Sequence, residues 1–229
     1  IASCLVGSEM CIRDSMCAEM QADAAHPQGV PLIVCATSGT TVLGAFDDVA
    51  AIAEVCRKYD LWLHVDASWG GAAAFLPHDA PERSVLAGLE NAHSITINPH
   101  KLLGVTHQCS FLLVHDKSVL IPPSHSDGGY LFHVPAEDAL DMATKTLGCG
   151  RRGDALKFYL VWLRYGTQGL GDHIAHGLRM AQALWQRLQL IPSLELGPHA
   201  DPLFLQICVR PREQSVRALH AQLLSLIHI

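Results

Sequence analysis

Short apolar runs, each followed by a polar segment, constrain the fold of this chain more than any other feature. The runs have the length of buried strands and lie at 30–36, 61–66, 94–97 and 110–114. Helical patterning separates the first two, because Asp47 or Asp48 can cap a helix that carries Val49, Ile52 and Ala53 on one side. Alternating strands and helices predict an α/β fold with a largely parallel sheet. In such a sheet, ligands bind where loops leave the carboxyl ends of the strands.

The second half of the chain has a different pattern. Residues 116–150 are irregular and rich in Pro, Gly, His and Ser, which is typical of a long functional loop. We expect two helices after it, at about 153–165 and 171–188. A strand at 202–209 and a helix that begins at Pro211 are predicted to follow, as the start of a second, smaller domain.

Bulk composition excludes several classes of protein. Hydrophobic residues make up 49% of the chain and charged residues 17%, which is an ordinary globular balance. The formal net charge of -6 argues against a nucleic-acid partner, which would require clustered Lys and Arg. The apolar runs fall well short of the roughly 20 residues that cross a bilayer, so we expect no membrane segment.

Cysteine and histidine usage favours neither disulfides nor a metal site. The eight cysteines are scattered without a CxxC pair, and Cys35 and Cys208 lie in apolar runs. We therefore expect reduced, buried thiols in a cytoplasmic protein. His173 and His176 have helical spacing but no third ligand beside them, so a solvated helix face is the better interpretation.

Two charged residues follow predicted strands and suggest chemistry. Lys101, in the run NPHK at 98–101, has an amine that can form a Schiff base with an aldehyde cofactor such as pyridoxal 5′-phosphate (PLP). Asp66 ends a buried apolar run, where a carboxylate is costly without a cationic partner, and a pyridinium nitrogen is such a partner. The alternatives are a surface lysine and an aspartate that caps the turn before Gly70.

Two further segments carry weaker signals. Residues 37–41 (TSGTT) offer hydroxyl and N–H groups to an anion or a phenolic oxygen, although such loops also serve as ordinary turns. Tyr130 lies beside two glycines in the long loop and is a candidate proton donor if that loop closes over a site. Packing is the default role of a lone tyrosine.

Taken together, these runs resemble the group II PLP-dependent amino-acid decarboxylases. The matching segments occur in the family's order and close to its spacing, with Asp66 and Lys101 separated by 35 residues. NPHK and HVDA are the specific ones, and the others are weak when taken alone. The segments are ATSGTTVLGAFD (36–47), WLHVDASWGG (62–71), NPHKLLG (98–104), QCSFLLV (108–114), YLF (130–132) and CGRRGDALK (149–157).

The resemblance implies a type I PLP fold, a mostly parallel sheet with helices on both faces, and a homodimer with active sites at the subunit interface. It implies that Lys101 carries PLP and that Asp66 contacts the pyridine nitrogen. Thr41 would lie near the ring oxygen, while Asn98 and His100 would help to hold the phosphate. Tyr130 matches a mobile-loop tyrosine that protonates the substrate carbon after CO2 leaves.

One position departs from the family pattern. Ser68 stands where the family usually has an alanine beneath the cofactor ring, so we expect its hydroxyl to alter ring packing and reaction specificity. The sequence also lacks the family's upstream half, with its stacking histidine and main phosphate loop. The carboxylate-binding arginine of the C-terminal region is likewise not in the sequence.

These observations predict α-decarboxylation of an acidic amino acid, namely glutamate, aspartate or cysteine sulfinate. The segments WGG and LLG favour this branch over the aromatic one. Three alternatives stay open. They are an aromatic L-amino-acid decarboxylase, another type I PLP enzyme, and a non-catalytic piece that lacks part of the cofactor site.

Both ends of the chain resemble translated sequencing adaptor, so we expect a protein truncated on both sides. Residues 1–15 and 223–229 are interpreted as non-native. Residues 16–155 are predicted to be part of a PLP-binding large domain, and 156–222 part of a C-terminal small domain.

Overall fold

The centre of the fold is a four-stranded sheet whose first three strands are parallel. The computed structural model describes residues 31–120, 152–197 and 201–212. The sheet order is β1 (Ile33–Thr37), β2 (Trp62–Asp66), β3 (Ser94–Ile97) and β4 (Phe111–Val114), with β4 antiparallel to β3. These bounds lie close to the predicted ones, and the prediction of a largely parallel sheet is confirmed.

Helix α1 (Val49–Tyr59) covers one face of this sheet. Asp48 caps it by accepting a hydrogen bond from the Ala51 amide, so the second of the two candidate caps is used. Its buried side chains lie opposite Leu63 and Val65 of β2, neither of which is exposed at all. Each such burial stabilises the fold by about 1.5–3 kcal/mol. Alternation along β2 thus fixes which face receives the helix.

The opposite face of β1 and β2 has no such cover within the described residues. Ile33 is 56% exposed and Cys35 is exposed, whereas Trp62 and His64 are half-buried. The prediction of a buried Cys35 was therefore wrong, and Cys208 is only half-buried. An apolar run indicates a strand but does not indicate whether both faces are covered. The four cysteines that the structure describes are all free thiols.

Helix α2 (Asp154–Gln189) occupies the region of the two predicted helices. Gly166 interrupts it with φ 67° and ψ 175°, so it consists of two helical segments that meet with almost no linker. Its buried residues, including Leu170 and Ile174, join a second core with the short 3₁₀ helix Gly70–Phe75. Further 3₁₀ turns lie at Pro81–Leu86, Leu89–Asn91 and Lys117–Leu120.

The chain after α2 differs from its predicted form. Strand β5 (Leu194–Leu196) pairs antiparallel with β6 (Val209–Pro211), so most of the predicted strand at 202–209 is irregular. Pro211 ends strand β6, and the helix predicted to begin at Pro211 falls almost entirely outside the described residues. The segment before β6 contacts the loop at 40–42 through the side chains of Gln206 and Cys208. Within the described residues only its last residue bonds through its backbone to the chain beside it, where the Cys208 carbonyl accepts from the Gly197 amide. No helix in the described part of the chain is long and apolar enough to span a membrane.

Candidate active site at the carboxyl edge of the sheet

The carboxyl ends of β1, β2 and β3 bring three polar side chains into one row. Asp66 is in register with Thr37 on one side and with Thr96 on the other. Because side chains in register on parallel strands share one face, Asp66 lies between two hydroxyl-bearing neighbours. Sequence reasoning did not identify Thr96, since an isolated threonine in a strand carries no functional signal.

The loop after β1 and the turn after β2 are bound to each other. The Ser38 amide donates to the Asp66 carbonyl at 2.8 Å, and the Gly70 amide donates to the Ser38 carbonyl at 3.0 Å. Gly39 has φ 93°, and a Cβ atom built on it would lie 2.8 Å from the Gly70 nitrogen. Glycine is needed here both for the positive φ and for the close backbone approach. The loop at 37–41 is thereby held against the aspartate.

The Asp66 carboxylate is exposed in the structure, although its strand is buried. The expectation of a buried carboxylate was therefore wrong for this side chain. Its position explains the difference, because the strand ends at Asp66 and no wall closes over that edge within the described residues. Both the amide and the hydroxyl of Ser68 donate to its Oδ1 atom, the amide at 3.0 Å.

Lys101 lies in a tight turn that leaves its side chain exposed. Its amide donates to the Asn98 carbonyl at 3.0 Å, and its carbonyl accepts from the Gly104 amide at 3.1 Å. Buried Leu103 and Val105 anchor the chain just beyond the turn. The lysine backbone is thus fixed while its amine remains accessible, which suits covalent attachment of a ligand.

His100 points back to the start of β4. Its Nδ1 atom lies 2.6 Å from the Cys109 carbonyl oxygen and 3.1 Å from the Cys109 amide nitrogen. A protonated Nδ1 donates to the carbonyl, and an unprotonated one accepts from the amide. Either tautomer holds the ring, so Nε2 is the atom that remains for a ligand.

The first turn of α2 holds residues 108 and 109, the second of which is hydrogen-bonded to His100. The Cys109 thiol donates to the Asp154 carbonyl at 3.4 Å, and the Lys157 ammonium donates to the Gln108 carbonyl. Burial raises the pKa of the Cys109 thiol, and the nearby Asp154 carboxylate raises that pKa further. The thiol therefore stays protonated and serves as a packing and hydrogen-bonding group. Lys157 also pairs with Asp154 at 2.8 Å.

Three buried polar atoms at this edge have no hydrogen-bond partner within the described residues. They are the Asn98 side-chain oxygen, the Ser38 hydroxyl oxygen and the Trp69 indole nitrogen. A buried polar group without a partner is costly, so such atoms mark places where a ligand or water supplies the missing bond. A ligand with an aldehyde, a basic ring nitrogen and acidic oxygens fits this edge, because an accessible amine, a carboxylate and hydroxyl groups surround it.

The remaining predicted residues are distributed as follows. Thr41 is exposed, and its carbonyl accepts from Gln206 Nε2 at 3.4 Å, while the Thr40 carbonyl accepts from the same atom at 3.1 Å. Sequence reasoning missed Gln206, since it lies 165 residues from Thr41. Tyr130 lies outside the described residues.

Among the residues that the structure describes, no three His, Cys, Asp or Glu side chains are grouped to hold a metal ion.

Comparison with known proteins assigns the family. The model of the pyridoxal-dependent decarboxylase conserved domain matches residues 9–210. This chain belongs to the pyridoxal-dependent decarboxylase family. The predicted family and its cofactor, PLP, are thereby confirmed.

Three similar proteins place the chain within the family. The L-aspartate decarboxylase dtxS4 of Metarhizium robertsii is 45% identical over 80% of this chain and 36% of its own length. Human cysteine sulfinic acid decarboxylase is 43% identical over 83% of this chain and 38% of its own. The crystal structure of mouse CSAD has a TM-score of 0.76 and 37% identity, covering 91% of this chain and 42% of that one. The predicted α/β fold of the type I PLP enzymes is confirmed. The chain spans less than half the length of these relatives.

Proposed function

We propose that the protein catalyses PLP-dependent α-decarboxylation of an acidic amino acid, with aspartate, cysteine sulfinate and glutamate as the substrate class. The observation that carries the proposal is the carboxyl edge of the sheet, where Lys101, Asp66 and the loop at 37–41 follow three adjacent parallel strands. The names of the similar proteins support acidic substrates, because they are decarboxylases of aspartate and of cysteine sulfinic acid.

The residues of this edge have distinct roles in the proposal. When bound, PLP supplies an aldehyde for amino groups and a ring that withdraws the electron pair left when CO2 departs. Lys101 would hold the aldehyde carbon of the cofactor through its exposed amine. The Asp66 carboxylate would bind the ring nitrogen and keep a proton there, since an adjacent negative charge favours the protonated ring. Thr41 would lie near the ring oxygen.

Two groups are assigned to phosphate binding and one to proton transfer. Asn98 and His100 lie on the turn that carries Lys101, and the Asn98 side-chain N–H group and His100 Nε2 would bind the phosphate. Ser68, which bonds the Asp66 carboxylate, would lie beside the ring. Tyr130 would supply the proton to the substrate α-carbon.

Removing the Lys101 amine tests the reaction. In the intact protein, Lys101→Ala should reduce CO2 release from aspartate or cysteine sulfinate by more than about 10³-fold, because the covalent step is lost. Lys58→Ala is the matched control, since Lys58 is exposed on α1 and lies over the Tyr59 ring. CO2 release that survives in Lys101→Ala would refute the assignment. A preference of the wild-type protein for tryptophan or tyrosine would refute the proposed substrate class.

We also propose that the protein is a homodimer. Leu156, Tyr159, Leu160 and Leu163 form one stripe of α2 at helical spacing, and each is between 54% and 69% exposed. An apolar stripe of this size is typical of a protein interface. A second copy of this chain is the proposed partner.

A charge in the stripe tests the dimer. Leu163→Glu should convert the intact protein to a monomer in analytical ultracentrifugation while its far-ultraviolet circular dichroism stays that of the folded wild type. Leu190→Glu, at an 80% exposed leucine just after α2, should leave the dimer intact. A dimer of unchanged affinity in Leu163→Glu would contradict the proposed interface.

We propose a cytoplasmic location, which the four free cysteines of the described residues support. Cell fractionation tests this location, and recovery of the protein in a secreted or membrane fraction would contradict it.

A further inference from the structure

The turn after β2 gives Asp66 two hydrogen-bond donors from a single residue. The Ser68 amide lies 3.0 Å from Asp66 Oδ1, and the Ser68 hydroxyl donates to that same oxygen. Within the described residues these are the hydrogen bonds of the carboxylate. Oδ2 is therefore the oxygen that remains for a cation.

The backbone around this turn is fixed. The Ala67 amide donates to the Thr96 carbonyl at 3.0 Å, and Ala67 itself is fully buried. The Gly71 amide donates to the Ala67 carbonyl at 2.9 Å. Ser68 is consequently held at a constant position relative to β2, and its hydroxyl can determine the rotation of the carboxylate.

Rotation of this carboxylate matters because the ligand that it faces is directional. A ring N–H points along one line, and a charge-assisted hydrogen bond loses strength when its acceptor turns away from that line. A single amide donor leaves the carboxylate plane free to rotate about the bond to Cβ. Two donors on Oδ1 restrict the plane and leave Oδ2 directed outward.

We propose that Ser68 is a positioning residue that orients Asp66 toward the ring nitrogen of PLP, an inference that rests on the proposed function. The hydroxyl was expected to affect ring packing, but the structure directs it to the carboxylate. Once the cofactor covers this edge, water is excluded and cannot replace the lost donor in a variant.

Cofactor affinity in the intact protein tests this role. Ser68→Ala should raise the dissociation constant of PLP about three- to tenfold, which is the effect expected when one hydrogen bond of ordinary strength is lost. Ser68→Thr keeps the hydroxyl and should restore affinity to within about twofold. The visible circular dichroism of the bound cofactor should weaken in Ser68→Ala and recover in Ser68→Thr, because it reports how rigidly the ring is held.

A matched control separates this role from fold stability. Ser84 is exposed, and its hydroxyl donates to the Pro81 carbonyl at 2.6 Å in a distant turn. Ser84→Ala should leave PLP affinity unchanged. The urea midpoint of the cofactor-free protein should be the same in wild type and Ser68→Ala, so that the difference appears only when PLP is bound.

The possible outcomes separate the positioning role of Ser68 from the proposed function. If the wild-type protein binds PLP and Ser68→Ala binds it equally well with unchanged dichroism, the positioning role is refuted while the proposed function stands. If Ser68→Thr fails to rescue a weakened Ser68→Ala, the hydroxyl is not the operative group and the role is also refuted. If the wild-type protein does not bind PLP, both the proposed function and this inference fail.

Discussion

At the scale of single residues, the candidate site depends on the absence of a side chain at Gly70. Gly70 has no side chain where a Cβ atom would lie 2.4 Å from the Ser38 carbonyl oxygen and 2.4 Å from the Phe46 ring. Because glycine has no Cβ atom, the loop after β1 can approach and hydrogen-bond the turn after β2. The position of Asp66 beside Ser38 follows from that contact.

The substitution Gly70→Ala should therefore destabilise the protein by about 1–3 kcal/mol, the usual cost of overpacking a tight contact. The urea unfolding midpoint measures this loss. Gly153→Ala is the control, because a Cβ atom at Gly153 meets nothing within 4 Å, and it should cost less than about 1 kcal/mol. Equal midpoints for wild type and Gly70→Ala would contradict the described contact.

Much of the site at this scale could be predicted from the sequence. The motifs identified Lys101 and Asp66, and strand ends are where a parallel sheet collects ligands. The exposure of Asp66 could not be predicted, because burial depends on what closes the edge of the sheet and not on the strand itself. The bond from Ser68 to Asp66 depends on a side-chain rotamer, which the order of residues does not determine.

At the scale of elements, residues 204–208, which precede β6, contact and support the loop at 37–44. Gln206 donates to the carbonyls of Thr40 and Thr41, and the Cys208 thiol donates to the Val42 carbonyl. Phe204 packs edge-to-face on Phe46 with ring centres 5.3 Å apart. The C-terminal part of the chain thus supports the loop that carries Thr41.

Removing the Gln206 amide should loosen that loop. Gln206→Ala should increase hydrogen exchange of the Gly39 and Thr40 amides about fivefold, because the carbonyls of Thr40 and Thr41 lose a hydrogen-bond donor worth about 1 kcal/mol. Gln168→Ala, at an exposed position on α2, is the control and should leave these amides unchanged. Unaltered exchange in Gln206→Ala would show that the Gln206 hydrogen bonds do not stabilise the loop.

The sequence predicted the strands of the sheet well and the segment at 202–208 poorly, for a physical reason. Strands β1 to β3 each contain buried residues, and β4 has an apolar run although Leu112 and Leu113 are exposed, so apolar runs mark all four strands clearly. The segment at 202–208 also has an apolar run, but its polar side chains bind a loop 165 residues away. A local pattern contains no information on such a partner, so the segment was predicted as a strand. Gly166 interrupts α2 near the predicted gap because its positive φ suits glycine.

At the scale of the whole molecule, two cores have different relations to the sheet. One lies between the sheet and α1, and the other joins α2 to the 3₁₀ segment after β2. The sheet face that carries Cys35 is open within the described residues, while Cys56 is buried on the side of α1 that packs against the sheet. Burial also raises the pKa of the Cys56 thiol, which reduces its thiolate fraction at a given pH.

Alkylation distinguishes these two faces. In the 229-residue chain at pH 8, iodoacetamide should modify Cys35 at least about tenfold faster than Cys56, since Cys56 requires opening of α1. Peptide mapping by mass spectrometry gives both rates in one sample. The difference should vanish in urea, where both thiols are exposed. Equal rates without urea would contradict the assignment of the open and covered faces.

The central claim is that Lys101 is the residue that binds the cofactor, and a chemical trap tests it most directly. The intact protein is incubated with PLP, reduced with borohydride, digested and mapped by mass spectrometry. The account predicts one phosphopyridoxyl label, on the peptide that contains Lys101, and no labelled peptide after Lys101→Ala. A stoichiometric label on any other lysine, with Lys101 unmodified, would contradict it.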